Sequence, residues 1–504
     1  MIGLTAQITR LARRLPAPLR RRVSHERWLN VSTRMLPFAD AASDTLPLSR
    51  LLRLSLFQVA VGMATALIVG TLNRVLIVEM GVAAWLVAAM VALPILAAPF
   101  RALIGHRSDT HRSVLGWRRV PYLWMGTILQ FGGLAIMPFA LLVLGESHAG
   151  LLEVPQWVGT AAAALAFLLL GAGLQMVQTA GLALATDIAP AETRPRVVAL
   201  LYVMLLVGMV GSGFVFGLLL ADFTPKRLIQ VVQGAAAVTV LLNVVALWKQ
   251  EARNPQRTRG LQKGDADFRS SWRAFISLPG ARRFLLATGL GTAAFNMQDI
   301  VLEPYGGEIL KLGVGATSSL TALMAIGALL AFGLSARVLA RGADPIRVSA
   351  AGLVLGLPAF ALVIFAAPLE SALVFRAGAC LIGFGSGLFA VGTLTAAMGM
   401  ETPERVGLAL GAWGAMQATA AGVSVAAGGA IRDLVSTLAV HGDFGVALAS
   451  PATGYSVVYH LELYLLFAAL IVIGPLVRSA HRRPLAQASS PRTTEKFGLA
   501  EFPG

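Results

Sequence analysis

The chain has 504 residues, of which 56% are apolar and only 13% are charged. This composition excludes a soluble globular protein, because a soluble helix needs apolar side chains on one face whereas a lipid-facing helix needs them on all sides. The formal net charge of +16 does not indicate a nucleic-acid partner, because the basic residues lie between the apolar stretches, as in the loops of membrane proteins.

Residues 1–50 form a basic, arginine-rich segment without an apolar core before Leu51, so we predict no cleavable signal peptide. Within residues 1–23, apolar side chains recur at helical spacing from Leu4 to Leu15. This pattern fits either a basic amphipathic helix on the lipid surface or a disordered basic tail.

Long apolar stretches separated by polar segments follow from Leu51 onward. A spanning helix needs about 20 apolar residues. By that criterion we predict twelve helices, at 53–78, 82–104, 120–144, 158–186, 197–221, 226–249, 282–303, 315–340, 346–367, 371–398, 405–431 and 455–478. The predicted domains are therefore an N-terminal half at 51–250, a polar connecting loop at 251–281, a C-terminal half at 282–480 and a disordered tail at 481–504.

A weak internal repeat supports this division. The fourth span contains Gly171 and Gly173 before a loop with acidic, proline and arginine residues, and the tenth span contains Gly383 and Gly385 before a similar loop. Two six-helix halves around a central cavity are the architecture of the major facilitator superfamily. The predicted fold class is therefore an all-α integral membrane protein with twelve transmembrane helices in that fold.

Positive charge collects in the two terminal segments, in residues 101–119 and in residues 249–283. The positive-inside rule places such segments on the cytoplasmic side. We therefore expect both termini to be cytoplasmic, as an even number of spans requires.

The loop after the second span resembles the loop signature of the major facilitator superfamily, although its spacing is longer. We predict that it forms a cytoplasmic latch with the loop after the fourth span. The predicted latch residues are Gly105, Asp109, Arg112, Gly116, Arg118, Arg119, Asp187, Glu192 and Arg194. The alternative is that these are ordinary positive-inside charges.

Four charged residues lie in the first and seventh spans, which the repeat makes equivalent: Arg74, Glu79, Asp299 and Glu303. Charges inside hydrocarbon are costly and therefore informative. We predict that Arg74 pairs with Asp299; the alternative is that all four are hydrated in the headgroup zone. Amides also fall within spans, either lining the interior or bonding neighbouring helices: Gln58, Gln130, Gln175, Gln178, Asn243, Asn296 and Gln417.

The sequence contains no nucleophile–histidine–acid set, no metal-spaced histidine or cysteine cluster and no phosphate-binding loop, so we predict that the protein is not an enzyme. The fourth span also lacks the mid-span arginine usual in proton-driven transporters of the superfamily. His460 is the one histidine within a predicted span.

Several long strings resemble the PucC/LhaA family, also called the bacteriochlorophyll delivery family. The resemblance extends over about 36–480 and is densest in the first half, in strings that include TLNRVLIVEMGV (71–82), APFRALIGHRSDTHRSVLGWRRVPYLWMGT (98–127), LALATDIAP (182–190) and LLADFTPKRLIQVVQGAAAVTVLLNVVALWKQE (219–251). These strings differ from those of sugar or drug carriers.

The resemblance implies a multi-pass protein of the bacterial inner membrane that assembles the core (LH1) or peripheral (LH2) light-harvesting antenna. It implies delivery of bacteriochlorophyll, or chaperoning of the antenna α and β polypeptides. It also suggests bacteriochlorophyll synthase and the reaction-centre assembly machinery as partners. The alternative function is a secondary transporter, proton-coupled or not, of a hydrophobic solute or tetrapyrrole. A third hypothesis is a scaffold that binds no pigment.

If the protein binds bacteriochlorophyll, the magnesium takes one axial ligand. His460 is the candidate imidazole, and a side-chain amide or a water is an equal alternative. Small-residue helix faces are candidate contacts for antenna polypeptides: Gly126, Gly132 and Gly133 in the third span, and Gly407, Gly411 and Gly414 in the eleventh.

Overall fold

The computed structural model describes residues 46–96, 117, 119–148, 155–190, 193–251, 276–278, 280–399, 406–445 and 448–481. These residues form helices and short connections, with no strand among them. The helices are α1 (Leu48–Ala66), α2 (Ala84–Leu96), α3 (Val120–His148), α4 (Gln156–Ile188), α5 (Arg194–Leu219), α6 (Pro225–Leu247), α7a (Ala281–Asn296), α7b (Leu302–Glu308), α8 (Val314–Ala340), α9 (Pro345–Ala366), α10 (Ala372–Met398), α11 (Val406–His441) and α12 (Ala452–His481). The N-terminal segment to residue 45 and the tail after His481 lie outside the described residues.

Ten helical stretches of the described chain are long and apolar enough to cross a membrane. Of the two other predicted spans, the second lies only partly within the described residues, and the seventh is interrupted. The described part of the second is a short apolar helix, Ala84–Ile95, and the seventh is broken into α7a and α7b. The all-α membrane class is confirmed, as expected where every backbone polar group must be satisfied without water.

The C-terminal end of α11 lies beyond the boundary that composition predicts. The predicted span ends at 431, but the helix continues to His441. Arg432 and Asp433, which end the apolar stretch, bond to each other and to neighbouring helices. These charges therefore stabilise a helix that extends beyond its apolar part.

The first and seventh spans are both irregular. Two π-helical segments, Leu67–Leu72 and Val75–Glu79, follow α1, and a 3₁₀ turn, Met297–Ile300, separates α7a from α7b. Pro304 explains part of the second irregularity, because it has no N–H to offer the carbonyl of Ile300 four residues earlier. Breaks of this kind in membrane helices are tolerated where neighbouring groups satisfy the freed backbone.

Small residues bring the helices of each half close together. A methyl group added at Gly126 or Gly133 of α3 would lie 3.0 Å or 2.6 Å from a backbone nitrogen of α4. These two glycines are therefore used for packing inside the N-terminal half. This corrects the prediction that they form a face for antenna polypeptides, although Gly132 has open space beside it.

The two halves meet through α5 against α8 and α2 against α11. We call the end of the bundle with Arg50, Arg119 and Gln250 the basic end, and the end with Trp85 and Asp433 the distal end. Close contacts between the halves occur toward the distal end, where Gly213 lies against Ala322 and Gly429 lies against Ala84.

Candidate functional site

A cavity of about 680 Å³ lies between the two halves, with walls from α2, α4, α5, α7a, α8, α10 and α11. Its apolar surface includes five aromatic side chains, those of Tyr202, Phe295, Phe332, Phe389 and Trp413. The volume is in the range of pockets that enclose a small ligand or cofactor, and such pockets combine apolar walls with a few polar groups.

The polar groups of this cavity are mostly amides. Four of the predicted amides line it: Gln175, Gln178, Asn296 and Gln417. The side-chain oxygen of Gln175 is buried and has no hydrogen-bond partner among the described residues. An unpartnered acceptor in a cavity wall is suited to a ligand that offers a donor or a hard metal centre.

The other predicted amides do not line the cavity. The Asn243 amide donates to Thr127 Oγ1 at 3.0 Å and to Gln130 Oε1 at 3.1 Å, inside the N-terminal half. Gln58 is fully buried, and neither atom of its amide group has a partner in the described chain. Sequence reasoning could not separate these residues from the cavity amides, because both sets lie in apolar spans.

Arg74 does not pair with Asp299, which corrects the sequence-based prediction. Its Nη1 contacts Glu79 Oε1 at 2.5 Å, and its Nη2 donates to the carbonyl of Leu312 at 3.0 Å. Arg74 is only 3% exposed, so the headgroup alternative does not describe it either. The arginine instead joins the irregular part of the first span to the chain just after α7b.

Asn73 holds the break in the seventh span. Its side-chain nitrogen donates to the carbonyls of Asp299 at 3.0 Å and Ile300 at 3.1 Å. The Ile300 carbonyl is the group that Pro304 leaves without its helical donor. The polar side chain therefore replaces a missing backbone hydrogen bond across the two halves.

The acidic residues of the seventh span have different surroundings. Asp299 lines the cavity and accepts a short hydrogen bond from the amide of Gln298. Glu303 is 2% exposed and accepts a hydrogen bond of 2.6 Å from Thr321 Oγ1 of α8. Only Asp299 is therefore available to a ligand in the cavity.

Sequence reasoning missed Glu462, which is fully buried in the middle of α12. Neither of its carboxylate oxygens has a hydrogen-bond partner in the described residues. The signal was present, because Glu462 is an acid within an apolar stretch, where charge is costly.

Most of the predicted latch lies outside the described residues: Gly105, Asp109, Arg112, Gly116, Arg118 and Glu192. Arg194 begins α5. Arg119 Nε contacts Asp187 Oδ2 at 3.0 Å, joining the start of α3 to the end of α4. Because both helices belong to the N-terminal half, this ion pair does not connect the two halves.

Several polar contacts between the halves lie toward the distal end. Besides the contacts of Asn73 and Arg74, the backbone N–H of Trp85 donates to Asp433 Oδ2 at 2.8 Å. Asp433 is itself bonded to Arg432, which also pairs with Glu308. The described structure is therefore closed at the distal end, with its cavity toward the basic end.

His460 lies outside the cavity. Its side chain is on the exposed surface of α12, and Nδ1 is 2.7 Å from the carbonyl oxygen of Ser456. A ligand on this imidazole would therefore lie on the lipid-facing surface, away from the aromatic walls.

Glu251 stabilises the basic end of the N-terminal half. Its carboxylate accepts hydrogen bonds from the backbone N–H groups of Arg119, at 3.1 Å, and Val120, at 2.9 Å. A carboxylate at a helix N-terminus satisfies donors that have no helical partner and interacts favourably with the helix dipole.

We expect Glu251→Ala to lower the free energy of unfolding by about 1 kcal/mol, the usual cost of losing a helix cap. The measurement is SDS-induced unfolding of the purified protein followed by circular dichroism. Asp443→Ala is the control, because Asp443 is exposed in a distal loop. An equal effect of the two substitutions would contradict the assigned cap.

Comparison with known proteins places these features in a family. The model of the family described as PUCC protein matches residues 71–481. The chain is 57% identical over 413 residues to Protein PucC of Rhodovulum sulfidophilum, covering 81% of this chain and 90% of that protein. It is 54% identical over 470 residues to the uncharacterized protein in the puhA-bchM intergenic region of Rhodobacter capsulatus, covering 93% of this chain and 97% of that one.

Among solved structures, a bacterial homologue of the human lysosomal transporter Spinster, inward-facing and unoccupied, resembles the chain with a TM-score of 0.62. That likeness covers 86% of this chain and 97% of the other at 14% sequence identity. It shows that the chain shares the fold of that protein.

Proposed function

The chain belongs to the PUCC protein family, and we propose that it is an assembly factor for the bacterial light-harvesting antenna. In this proposal it holds bacteriochlorophyll in the central cavity while antenna α and β polypeptides are assembled in the inner membrane. It makes or breaks no covalent bond, and it acts with both termini in the cytoplasm, so that the cavity faces the cytoplasmic side. The observation that carries the proposal is an aromatic, amide-lined cavity in a member of this family.

The residues of the cavity fit a magnesium-containing pigment. The side-chain oxygen of Gln175 is buried in the described chain without a partner, and oxygen is a suitable ligand for magnesium. The aromatic side chains around it, including Phe295 and Trp413, offer flat apolar surfaces for the macrocycle. The bound pigment would supply the chromophore, and the chain's own residues would orient it and keep water away.

The first test is deletion of the gene and near-infrared absorption of the membranes. Loss of an antenna band with pigment synthesis intact is expected, and the band that disappears identifies the core or the peripheral antenna as the client. An unchanged antenna would overturn the proposal.

We expect Gly414→Trp to prevent pigment binding and antenna assembly. Gly414 lines the cavity, and no heavy atom lies within 4 Å of a methyl carbon added there. An indole group at this position would therefore fill volume that the pigment needs. The measurement is bacteriochlorophyll per protein after purification, together with the antenna band in a complemented deletion strain.

Gly474→Trp is the matched control, because Gly474 also has open space beside it but is on α12, outside the cavity wall. His460→Leu separates the two candidate pigment sites. Loss of pigment in His460→Leu, with pigment retained in Gly414→Trp, would reject the cavity in favour of the lipid-facing imidazole.

A secondary transporter is the second candidate function. It is favoured by the broken seventh span beside a central cavity, since transporters of this fold place discontinuous helices at their substrate sites. Accumulation or excretion of a tetrapyrrole in the deletion strain, with antenna polypeptides assembling normally when pigment is supplied, would support transport over assembly.

A further inference from the structure

The carboxyl group of Glu462 has an unusual environment. It is fully buried in α12, and neither oxygen has a hydrogen-bond partner in the described residues. The backbone N–H of Gln298 approaches it without reaching hydrogen-bond geometry, and Asp299 is close enough to repel a negative charge. An ionised carboxylate in apolar surroundings without donors is very costly, so such a group takes up a proton or a partner.

The neighbouring groups that lack partners include two acceptors and the hydroxyl of Tyr459. The side-chain oxygens of Gln298 and Asn73 are buried and unpartnered in the described chain. The amide nitrogen of Gln298 is already used, since it donates to the carbonyl of Phe295 at 3.3 Å and to Asp299. In this set the acceptors outnumber the single unpaired donor, the Tyr459 hydroxyl, and a protonated carboxyl group supplies a further donor.

No cation in the described chain compensates for Glu462. Asp299 and Glu303 of the seventh span are acids and so supply no positive charge, and Tyr305, Tyr455 and Tyr459 contribute hydroxyl groups. Arg74 is bonded to Glu79 and Leu312, and Arg432 is bonded to Glu308, Asp433 and Tyr455. The remaining basic residues on the helices packed against α12 are Arg282, Arg283 and Arg347, in the first turns of α7a and α9 at the basic end, and His441, at the distal end of α11.

A metal ion does not fit the same arrangement. Within the described ranges, no three histidine, cysteine, aspartate or glutamate side chains converge to hold one. Glu303 is also directed elsewhere, toward the hydroxyl of Thr321. The proton is therefore the cation that the geometry accommodates.

We propose that Glu462 is a proton-binding site, connected through Gln298 and Asp299 to the central cavity. The bound proton neutralises the carboxyl group of Glu462 while the 3₁₀ turn of the seventh span separates it from the cavity. Release of the proton requires water to reach Glu462 from the cavity, past Asp299, and hence a rearrangement of the 3₁₀ turn. Proton binding is thereby linked to the opening of the cavity, whichever ligand the cavity holds.

The direct test is infrared spectroscopy of the purified full-length protein at neutral pH. A protonated carboxyl group gives a carbonyl band that is resolved from carboxylate bands and shifts on exchange into deuterium oxide. We expect that band in the unmodified chain and a loss of intensity in Glu462→Gln, whose amide keeps the size of the side chain and supplies N–H donors. Glu370→Gln, an exposed loop substitution, should keep the band.

The second test follows the conformation and needs no assignment of bands. Ala418 lines the cavity, so Ala418→Cys in a Cys380→Ser background reports cavity access through its rate of thiol labelling. After correction for the reagent's own pH dependence, measured on Asp443→Cys, we expect labelling to change with pH in the parent protein and to lose that dependence in Glu462→Gln.

The outcomes separate the alternatives. Absence of the protonated band from the unmodified protein, or a band of undiminished intensity in Glu462→Gln, overturns the proposal. Labelling that responds to sodium but not to pH overturns it in favour of a metal cation. Because neither measurement uses pigment or antenna, a failure here is distinct from a failure of the assembly role.

Discussion

We expect Gly213→Leu to open the distal end and abolish antenna assembly while the protein remains folded. Gly213 of α5 is buried against α8 of the other half, where an added methyl carbon would lie 2.9 Å from Ala322 Cβ and 3.0 Å from its backbone nitrogen. Overpacking at such a contact costs about 1–3 kcal/mol. The overlap involves a backbone atom of Ala322, which a change of side-chain rotamer cannot move. Separation of the two halves therefore relieves the overlap more easily.

A cost of about 2 kcal/mol changes a two-state ratio about 30-fold, enough to shift the resting conformation. The measurement is the distance between spin labels at Asp222→Cys and Glu370→Cys, exposed distal positions in opposite halves, in a Cys380→Ser background. We expect a longer distance in Gly213→Leu, together with loss of the antenna band in a complemented deletion strain.

Gly211→Leu provides a matched control. Gly211 lies on the same helix, but an added methyl group would contact nothing within 4 Å. Both substitutions replace glycine by a better helix former, so that effect is shared. If Gly211→Leu opens the distal end as much as Gly213→Leu does, the contact with Ala322 is not what holds the halves together.

The second large effect is expected at Asn73. Asn73→Leu has a similar size but removes the donor to the carbonyls of Asp299 and Ile300. Each buried acceptor left without a partner costs about 1–3 kcal/mol. We therefore expect the free energy of unfolding to fall by about 2–4 kcal/mol, measured by SDS titration with circular dichroism.

Pro304→Ala tests this prediction in a double-mutant cycle. Alanine at 304 restores a backbone N–H that can bond to the Ile300 carbonyl as in a regular helix. The loss caused by Asn73→Leu should therefore be smaller in the Pro304→Ala background, with a coupling energy of about 1 kcal/mol in the double-mutant cycle. Strict additivity of the two substitutions would show that the asparagine does not replace the missing hydrogen bond.

These two sites describe one structural arrangement. The distal end is closed by glycine contacts between α5 and α8 and by the polar bonds of Asn73 and Arg74. The irregular parts of the first and seventh spans lie within this closure, next to the cavity that contains Asp299. A change at the break can therefore alter the cavity and the closure together.

The sequence predicted which charged residues lie within the apolar spans more reliably than it predicted the partners of those residues. Arg74, Asp299 and Glu303 were singled out as charges in apolar spans, and two of them are almost fully buried. The predicted partner of Arg74 was wrong, because similar depth in two equivalent spans does not fix the direction of a long side chain. The bond to the Leu312 carbonyl depends on where the chain turns after α7b.

Sequence by itself determined the membrane class, the position of most helices and the family resemblance, because hydropathy and long motif strings are local properties of the chain. Only the tertiary structure decided which amides line the cavity, that Arg119 and Asp187 join helices of one half, and that Glu462 is buried without a partner. The physical reason is that lipid exposure and burial both select apolar side chains. Periodicity therefore cannot tell one face of a membrane helix from another, and helix packing must decide.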